Sequence, residues 1–300
     1  MNPAGDFSQQ VKQWLLSLDM PFVADLVSID SFDLIQVKQN EQLRLVIRLI
    51  NLKTLIILQE NAYEKLAAFA SRQKEIRNLG IAVVTLWEDI WIRENAIVKS
   101  RLSAILGISQ RIPARTTQVR RIDKPTADKF LNENHLQHTV SSKLKYGLFL
   151  PNRYFRVLKS DYQLDRTAPE LLVAVATFSH PRIFERDEKP FRSYELIRFA
   201  NLLNTTVIGG FDKLLTFFEE DCKPDDIMTY ADLDWSEGAS YKRLGFKAAS
   251  DKKPMQFWLN TEKLERSFKP KNISNENLIE VYNGGSRKFV KEIFATFATL

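Results

Sequence analysis

The chain has 300 residues, 44% hydrophobic and 27% charged, with a net charge of +6. That balance excludes a disordered or fibrous chain, and the length accommodates two domains with a core each. One cysteine, Cys222, and three histidines, His135, His138 and His180, exclude a disulfide framework or a multi-cysteine metal site.

No run approaches the ~18 uninterrupted apolar residues of a membrane span, so no membrane association is expected. MNPAGDFSQQ lacks a basic-plus-apolar leader, and the expected location is a reducing cytoplasm. Residues 7–19 place Phe7, Val11, Trp14, Leu15 and Leu18 at helical spacing. Two apolar runs, 32–37 and 43–50, read as strands joined across KQNEQ, and 54–58 (TLIIL) as another strand. Residues 62–79 read as a helix stopped by Gly80, 81–87 (IAVVTLW) as a buried strand, and 94–107 as a helix closed by Gly107.

Residues 1–110 carry 12 basic and 12 acidic side chains, so the net charge resides entirely in 111–300. The densest positive stretch supplies Arg111, Arg115, Arg120, Arg121 and Lys124 against one acid, Asp123. It is either a solvated connector or a phosphate-tracking segment, since Arg and Lys release counterions on meeting a polyanion.

Beyond it, a helix is expected over 125–135, with Pro125 in its first turn, then strands at 145–150, 171–178 and 194–201 around a loop or hairpin at 154–169. A helix at 209–220 opens on Gly209-Gly210, followed by a strand at 227–231, a short helix near 236–244, and strands at 245–248, 256–260, 278–282 and 287–291. The expected fold class is α/β (α+β), with domains at 1–110 and 125–300 and a basic connector at 111–124. No internal repeat is evident.

A strand running into Val207-Ile-Gly209-Gly210 and an amphipathic helix leaves backbone N–H groups facing outward with the helix dipole behind them. Such a turn is either ordinary loop chemistry or a pyrophosphate site, the two glycines permitting close approach. With the later Tyr241-Lys-Arg-Leu-Gly-Phe246, this stretch resembles the GNAT acetyltransferase superfamily. The resemblance implies an acetyl-CoA or related acyl-CoA cofactor held by Val207, Gly209, Gly210, Phe211, Asp212 and Lys213. It also implies a tyrosine, here Tyr241, that gives a proton to the leaving thiolate; the alternative for Tyr241 is an aromatic anchor. The family's loop has the form (Arg/Gln)-x-x-Gly-x-(Gly/Ala), and this chain has Thr206 first and Phe211 last.

Across about 119–291, FLNENHLQ, YGLFL, ATFSHPR, YELIRFANLLNTTVIGGFDKLL, TYADLDWSEGASYKRLGF and VYNGGSRKF resemble GNAT-like modules of phage and mobile-element proteins, the Mom-like DNA-modification proteins among them. That likeness implies an acyl-derived transfer to DNA or a nucleobase. Asp232, at a strand end with Tyr230 nearby, is either a general base or a loop acid. Arg198 and His180 are candidates for meeting substrate or phosphate.

Residues 30–105, ending WEDIWIRENAIVKSRL, resemble the Vsr-type branch of the PD-(D/E)XK nucleases. The likeness places Asp33 as first acid of a magnesium site, but Arg48 stands where the second belongs, so an inert nuclease fold is expected. Magnesium is required only if that domain is active. Two alternatives to the transferase are a DNA-binding protein without chemistry and a homing-type endonuclease with an accessory GNAT module. DNA is the expected partner, and oligomeric state is not readable.

Overall fold

The computed structural model describes residues 6–29, 32–57, 64, 72–268 and 277–293. In chain order these form α1 (Phe7–Leu16), β1 (Phe22–Ile29), β2 (Phe32–Gln39), β3 (Gln42–Ile50), α2 (Leu52–Ile57), β4 (Ala82–Trp87), α3 (Glu88–Arg93) and α4 (Asn95–Ile105). Then come β5 (Gln110–Pro113), β6 (Gln118–Arg121), α5 (Lys124–Asn134), β7 (Leu144–Pro151), β8 (Glu170–Phe178), β9 (Arg182–Arg186), β10 (Lys189–Asn201) and β11 (Thr205–Ile208). The remainder is α6 (Gly210–Cys222), β12 (Asp226–Asp232), α7 (Ala239–Arg243), β13 (Lys247–Lys252), β14 (Gln256–Asn260), β15 (Arg266–Ser267), β16 (Leu278–Tyr282) and β17 (Ser286–Glu292).

The chain divides into two compact units that are not consecutive halves. One comprises 1–95, 231–237 and 251–287; the other comprises 96–230, 238–250 and 288–300. The expected boundary near residue 110 is thus replaced by one at 95, and two later excursions return to the first unit.

In the first unit β1–β2–β3–β4 form a mixed sheet, antiparallel except for the β3/β4 pair. The β2–β3 reversal is a two-residue turn with Asn40 and Glu41 both at positive φ, the form that matches strand twist. β14, β15 and β16 form a separate three-stranded sheet, and its Phe257, Leu259, Ile279 and Val281 share one core with Phe32, Ile50, Leu55 and Trp87. Burying a large apolar side chain contributes roughly 1.5–3 kcal/mol, so this insertion is a structural part of the first unit.

The strand expected at 54–58 is helical over 54–57, and residue 58 lies outside the described residues. The Asn51 side chain accepts from Thr54 N at 2.7 Å and Glu88 accepts from Leu52 N at 2.7 Å, satisfying amides at the start of α2. Most of the helix expected at 62–79 lies outside the described residues; 72–78 is helical, and Gly80 follows at φ +78.

In the second unit the main sheet runs β13–β17–β12–β10–β8–β7–β6, with β9 paired to β10. The expected connector 111–124 contributes strands instead. β5 pairs in parallel with β11, β6 pairs with β7, and Ile112 is fully buried. α5 begins where Asp123 accepts from Thr126 N at 2.9 Å, with Pro125 in the first turn. Under α6, Phe178 and Phe218 stack at 3.8 Å and Tyr146 meets both edge-on. Segment 152–157, expected within a loop or hairpin, is a 3₁₀ turn.

Candidate functional site

The parallel pair β10/β12 is joined only from Ser193 to Glu195, opposite Asp226 to Met228. Beyond that β10 pairs only with β8, after an extra residue, Ile197, between Leu196 and Arg198. Such a bulge bends a strand and adds local twist. The two neighbouring parallel strands therefore separate, and among the described residues the edge of β10 facing β12 has no further ladder partner. Thr229 of β12 reaches across the start of the divergence and donates to Leu196 O at 3.0 Å.

β11, paired with β5 in a separate two-stranded sheet, runs into α6. Gly209 has φ +76, the left-handed region where glycine avoids the Cβ penalty. Gly210 has no room for a Cβ, which would lie 2.7 Å from the Val207 side chain. The first helical bond is Lys213 N to Gly209 O at 3.0 Å. The N–H groups of Gly209, Gly210, Phe211 and Asp212 precede it and are the positive end of a 13-residue helix. Helix N-termini of this form suit anions.

The other expected carrier contacts are used within the fold. Val207 is buried, and its N–H donates to Asn201 Oδ1 at 3.3 Å. Lys213 Nζ donates to Ala114 O and Thr117 O, tying the 114–116 turn to α6. Asp212 is an exposed first-turn acid.

An aromatic wall stands beside this turn. Phe211 stacks on Phe199 of β10 at 4.6 Å, and Tyr241 of α7 meets Phe211 edge-on at 5.8 Å. A hydrogen bond with Thr229 of β12 acts on the Tyr241 hydroxyl and lowers its pKa. Burial pushes the Tyr241 hydroxyl above the usual phenol range.

Arg198 follows the bulge and is half-buried. Its Nε donates to His138 O at 3.1 Å and its Nη1 to Ile197 O at 3.0 Å. His180 is exposed, with its carbonyl accepting from Ser179 Oγ at 2.7 Å. Tyr230 lies on β12 with its side chain half-buried. Asp232, at the end of that strand, belongs to the other compact unit from Tyr241, and its Oδ1 accepts from Asp234 N at 3.0 Å.

Of the five basic residues at 111–124, three are neutralised within the fold. Arg120 makes a bidentate pair with Glu170 and lies 3.5 Å over the Phe149 ring; Arg121 holds Asp221 at 2.6 Å; Lys124 pairs with Asp128. Arg111 and Arg115 are exposed, and Arg111 is opposite Thr206 of β11.

The first unit spends its polar groups differently. Asp33 accepts from Ser8 at 2.5 Å and Ser28 at 2.7 Å, one hydroxyl on each oxygen. The β2/β3 register sets Arg48 opposite Leu34, on the face away from Asp33, so Arg48 does not stand beside it as the missing acid's position required. Arg48 is buried, lies 4.0 Å over the Phe32 ring, and burial lowers its pKa to about 9 against the opposing charge of Asp234. Asp89 forms a bidentate pair with Arg266. Among the described residues no group of three or more His, Cys, Asp or Glu is placed to hold a metal.

No family model and no curated protein matches this chain. Solved structures do. Arabidopsis thaliana NAA60 in complex with acetyl-CoA aligns over 59% of this chain and 100% of its own, at 10% identity and TM-score 0.35. A Corynebacterium glutamicum structure described as histone acetyltransferase HPA2 and related acetyltransferase aligns over 60% and 99%, at 13% and 0.33. The NatC complex bound to Gag peptide and CoA aligns over 59% and 99%, at 9% and 0.33.

The sequence motifs located Gly209, Gly210, Phe211 and Tyr241, which the structure brings together. They missed Phe199, Thr229 and the Ile197 bulge. Phe199 and Ile197 lie in the quoted strand, but only strand pairing reveals the extra residue.

Proposed function

We propose that the second unit is a GNAT-like acyltransferase that binds acyl-CoA and passes the acyl group to an amine or amide nitrogen of nucleic acid or a nucleobase. The observation that carries the reading is the divergence of β10 from β12 beside the Gly209-Gly210 turn. One site thereby offers peptide amides for a pyrophosphate, a bare strand edge for an extended polar arm, and Tyr241 at the far side of the aromatic wall.

The thioester supplies an activated acyl carbon. The chain's own groups then do three things. The α6 amides hold the anionic end of the carrier without reorganisation. Phe199 and Phe211 offer apolar surface along its path. Tyr241, kept protonated at neutral pH by burial, gives its proton to the departing thiolate as nitrogen attack breaks the C–S bond. The phenolate is then reprotonated from the nitrogen that has gained the acyl group.

In the first unit, Asp33 with both oxygens taken by serines and Arg48 turned to the opposite face weigh against a magnesium-dependent nuclease. Titration of the full chain with acetyl-CoA by calorimetry tests the proposal: saturable heat is expected in the micromolar range, and no heat at high micromolar ligand removes the enzymatic reading.

A further inference from the structure

Two stretches of the second unit that are remote in sequence are tied side by side. At one end, the β6/β7 register sets Gln118 opposite Phe149. At the other, Gln110 of β5 donates from Nε2 to Val157 O at 3.0 Å, and Lys159 N donates to Gln110 Oε1 at 3.1 Å. Residues 110–118 and 149–159 therefore run antiparallel along one another. Each contains a 3₁₀ turn, at 114–116 and 152–157. Thr116 and Thr117 fix the first by donating to Pro113 O and Ala114 O, each at 2.7 Å. Buried Phe155 and Leu158 anchor the second. Side chains three apart lie on the same side of a 3₁₀ turn, so Arg153 and Arg156 project together. The half-buried Tyr154 ring is close to both, 5.1 Å from the Arg153 guanidinium and 5.9 Å from that of Arg156.

This face is basic without relief. Neither stretch contains an acid. Arg111, Arg115, Arg153, Arg156 and Lys159 are all exposed, and among the described residues none of them forms an ion pair. Arg120, Arg121 and Lys124, just beyond, are each paired. Asp161 and Asp165 follow in the next loop, and Asp165 accepts from Thr167 N at 2.9 Å. Like charges gathered on one face repel one another until an anion meets them.

The face begins beside the Gly209-Gly210 turn. A Cβ at Gly209 would lie 3.6 Å from that of Ala114, and Lys213 of α6 donates to Ala114 O at 3.0 Å. The cations are spread along both stretches and exceed what a single nucleotide needs, so they fit a run of phosphates. Tyr154 and the guanidinium planes beside it add stacking surface for an unpaired base, which an acidic peptide or a membrane would leave unused.

We infer that a single-stranded nucleic acid docks along this face, its phosphates met by Arg111, Arg115, Arg153, Arg156 and Lys159 and one base stacked at Tyr154. This names the docking surface of the acceptor in the proposed transferase and rests on that reading for the strand's role; the binding itself is measured without acyl transfer.

The probe is a fluorescent single-stranded oligonucleotide titrated with the full chain by anisotropy at several salt concentrations, with acetyl-CoA calorimetry run on every variant. Saturable binding is expected, with a log–log salt slope of about −3.5 for five single-strand phosphate contacts at ~0.7 each. The double variant Arg153→Gln, Arg156→Gln is expected to reduce that slope by about 1.4 and to leave the acetyl-CoA titration unchanged. Tyr154→Leu is expected to weaken binding about tenfold with the slope unchanged, since stacking releases no counterions. Melting curves check that both variants fold. A flat salt response, or wild-type strand affinity in either folded variant, overturns the inference. So does polyglutamate of the same length, or a duplex, bound as tightly as the single strand. If the double variant loses acetyl-CoA affinity in place of strand affinity, the face seats the carrier's nucleotide end and the inference falls. Strand binding as expected with no acetyl-CoA binding leaves the docking face standing and removes the transferase reading.

Discussion

The two compact units handle buried polarity in opposite ways. In the first, Asp33, the acid expected to do chemistry, is occupied by two serine hydroxyls, and the buried Asp89 and Asp234 are met by Arg266 and by the Trp87 indole at 3.2 Å. In the second, the α6 amides from Gly209 to Asp212 precede the first helical bond, and β10 past Glu195 no longer pairs with β12. Unsatisfied backbone groups are costly unless something meets them. On the proposed reading, the difference teaches that the first unit is built for its own stability and that binding belongs to the second.

The sharpest way to break this contrast is to remove one proton. Tyr241→Phe keeps the ring contacts with Phe211, Phe246 and Phe289 but deletes the acid. Acyl transfer is expected to fall by about 10²–10⁴-fold with acetyl-CoA affinity unchanged in calorimetry. An unchanged rate would assign Tyr241 to packing alone. Next, Gly210→Ala forces a methyl to within 2.7 Å of Val207 and 3.0 Å of Leu148. Thermal melts should show a loss of about 1–3 kcal/mol, together with weaker acetyl-CoA binding.

In the first unit the test is pH. Burial, with the like charge of Asp232, raises the Asp234 carboxyl to about 7. Between pH ~4 and ~7 the folded chain holds a proton that the unfolded chain has released, so this group's contribution to stability declines as pH rises through that window and is level above it. Asp234→Asn should flatten that part of the stability profile, read by melts at pH 4.5 and 7.5; an unchanged slope would place the acid in a polar setting. In the second unit, DNA affinity should depend on Arg111 and Arg115 more than on the paired Arg120, Arg121 and Lys124. Replacing both exposed arginines by alanine is expected to reduce the log–log salt slope by roughly 2, each phosphate contact contributing about 0.9. The smallest effect is expected from Arg121→Ala, an exposed pair whose loss should cost less than about 1 kcal/mol in a melt.

How far the sequence discloses this arrangement depends on whether a segment's partners are local. FDKLLTFF and VKQWLLSL carry their helical period in themselves, and IAVVTLW its strand. TLIIL has strand composition, yet the Asn51 and Glu88 contacts at the helix start override it. RIPARTTQVRR reads as a linker because it becomes strand only against β11 and β7, neither of which its own composition specifies. β1, β9 and α3 went unrecognised, β1 and β9 because their exposed and half-buried positions blur any alternation. The Gly209-Gly210 turn and Tyr241 were readable as motifs. The anchoring of Leu203 and Asn204 by Asn134 and Ser100 was not, since it joins segments about 70 and 100 residues apart.

The most direct measurement is amide NMR of the full chain during an acetyl-CoA titration, following the Gly209, Gly210 and Phe211 N–H resonances. Saturable downfield movement of all three at the calorimetric affinity is the predicted result. Binding that leaves those three amides unmoved would contradict the account.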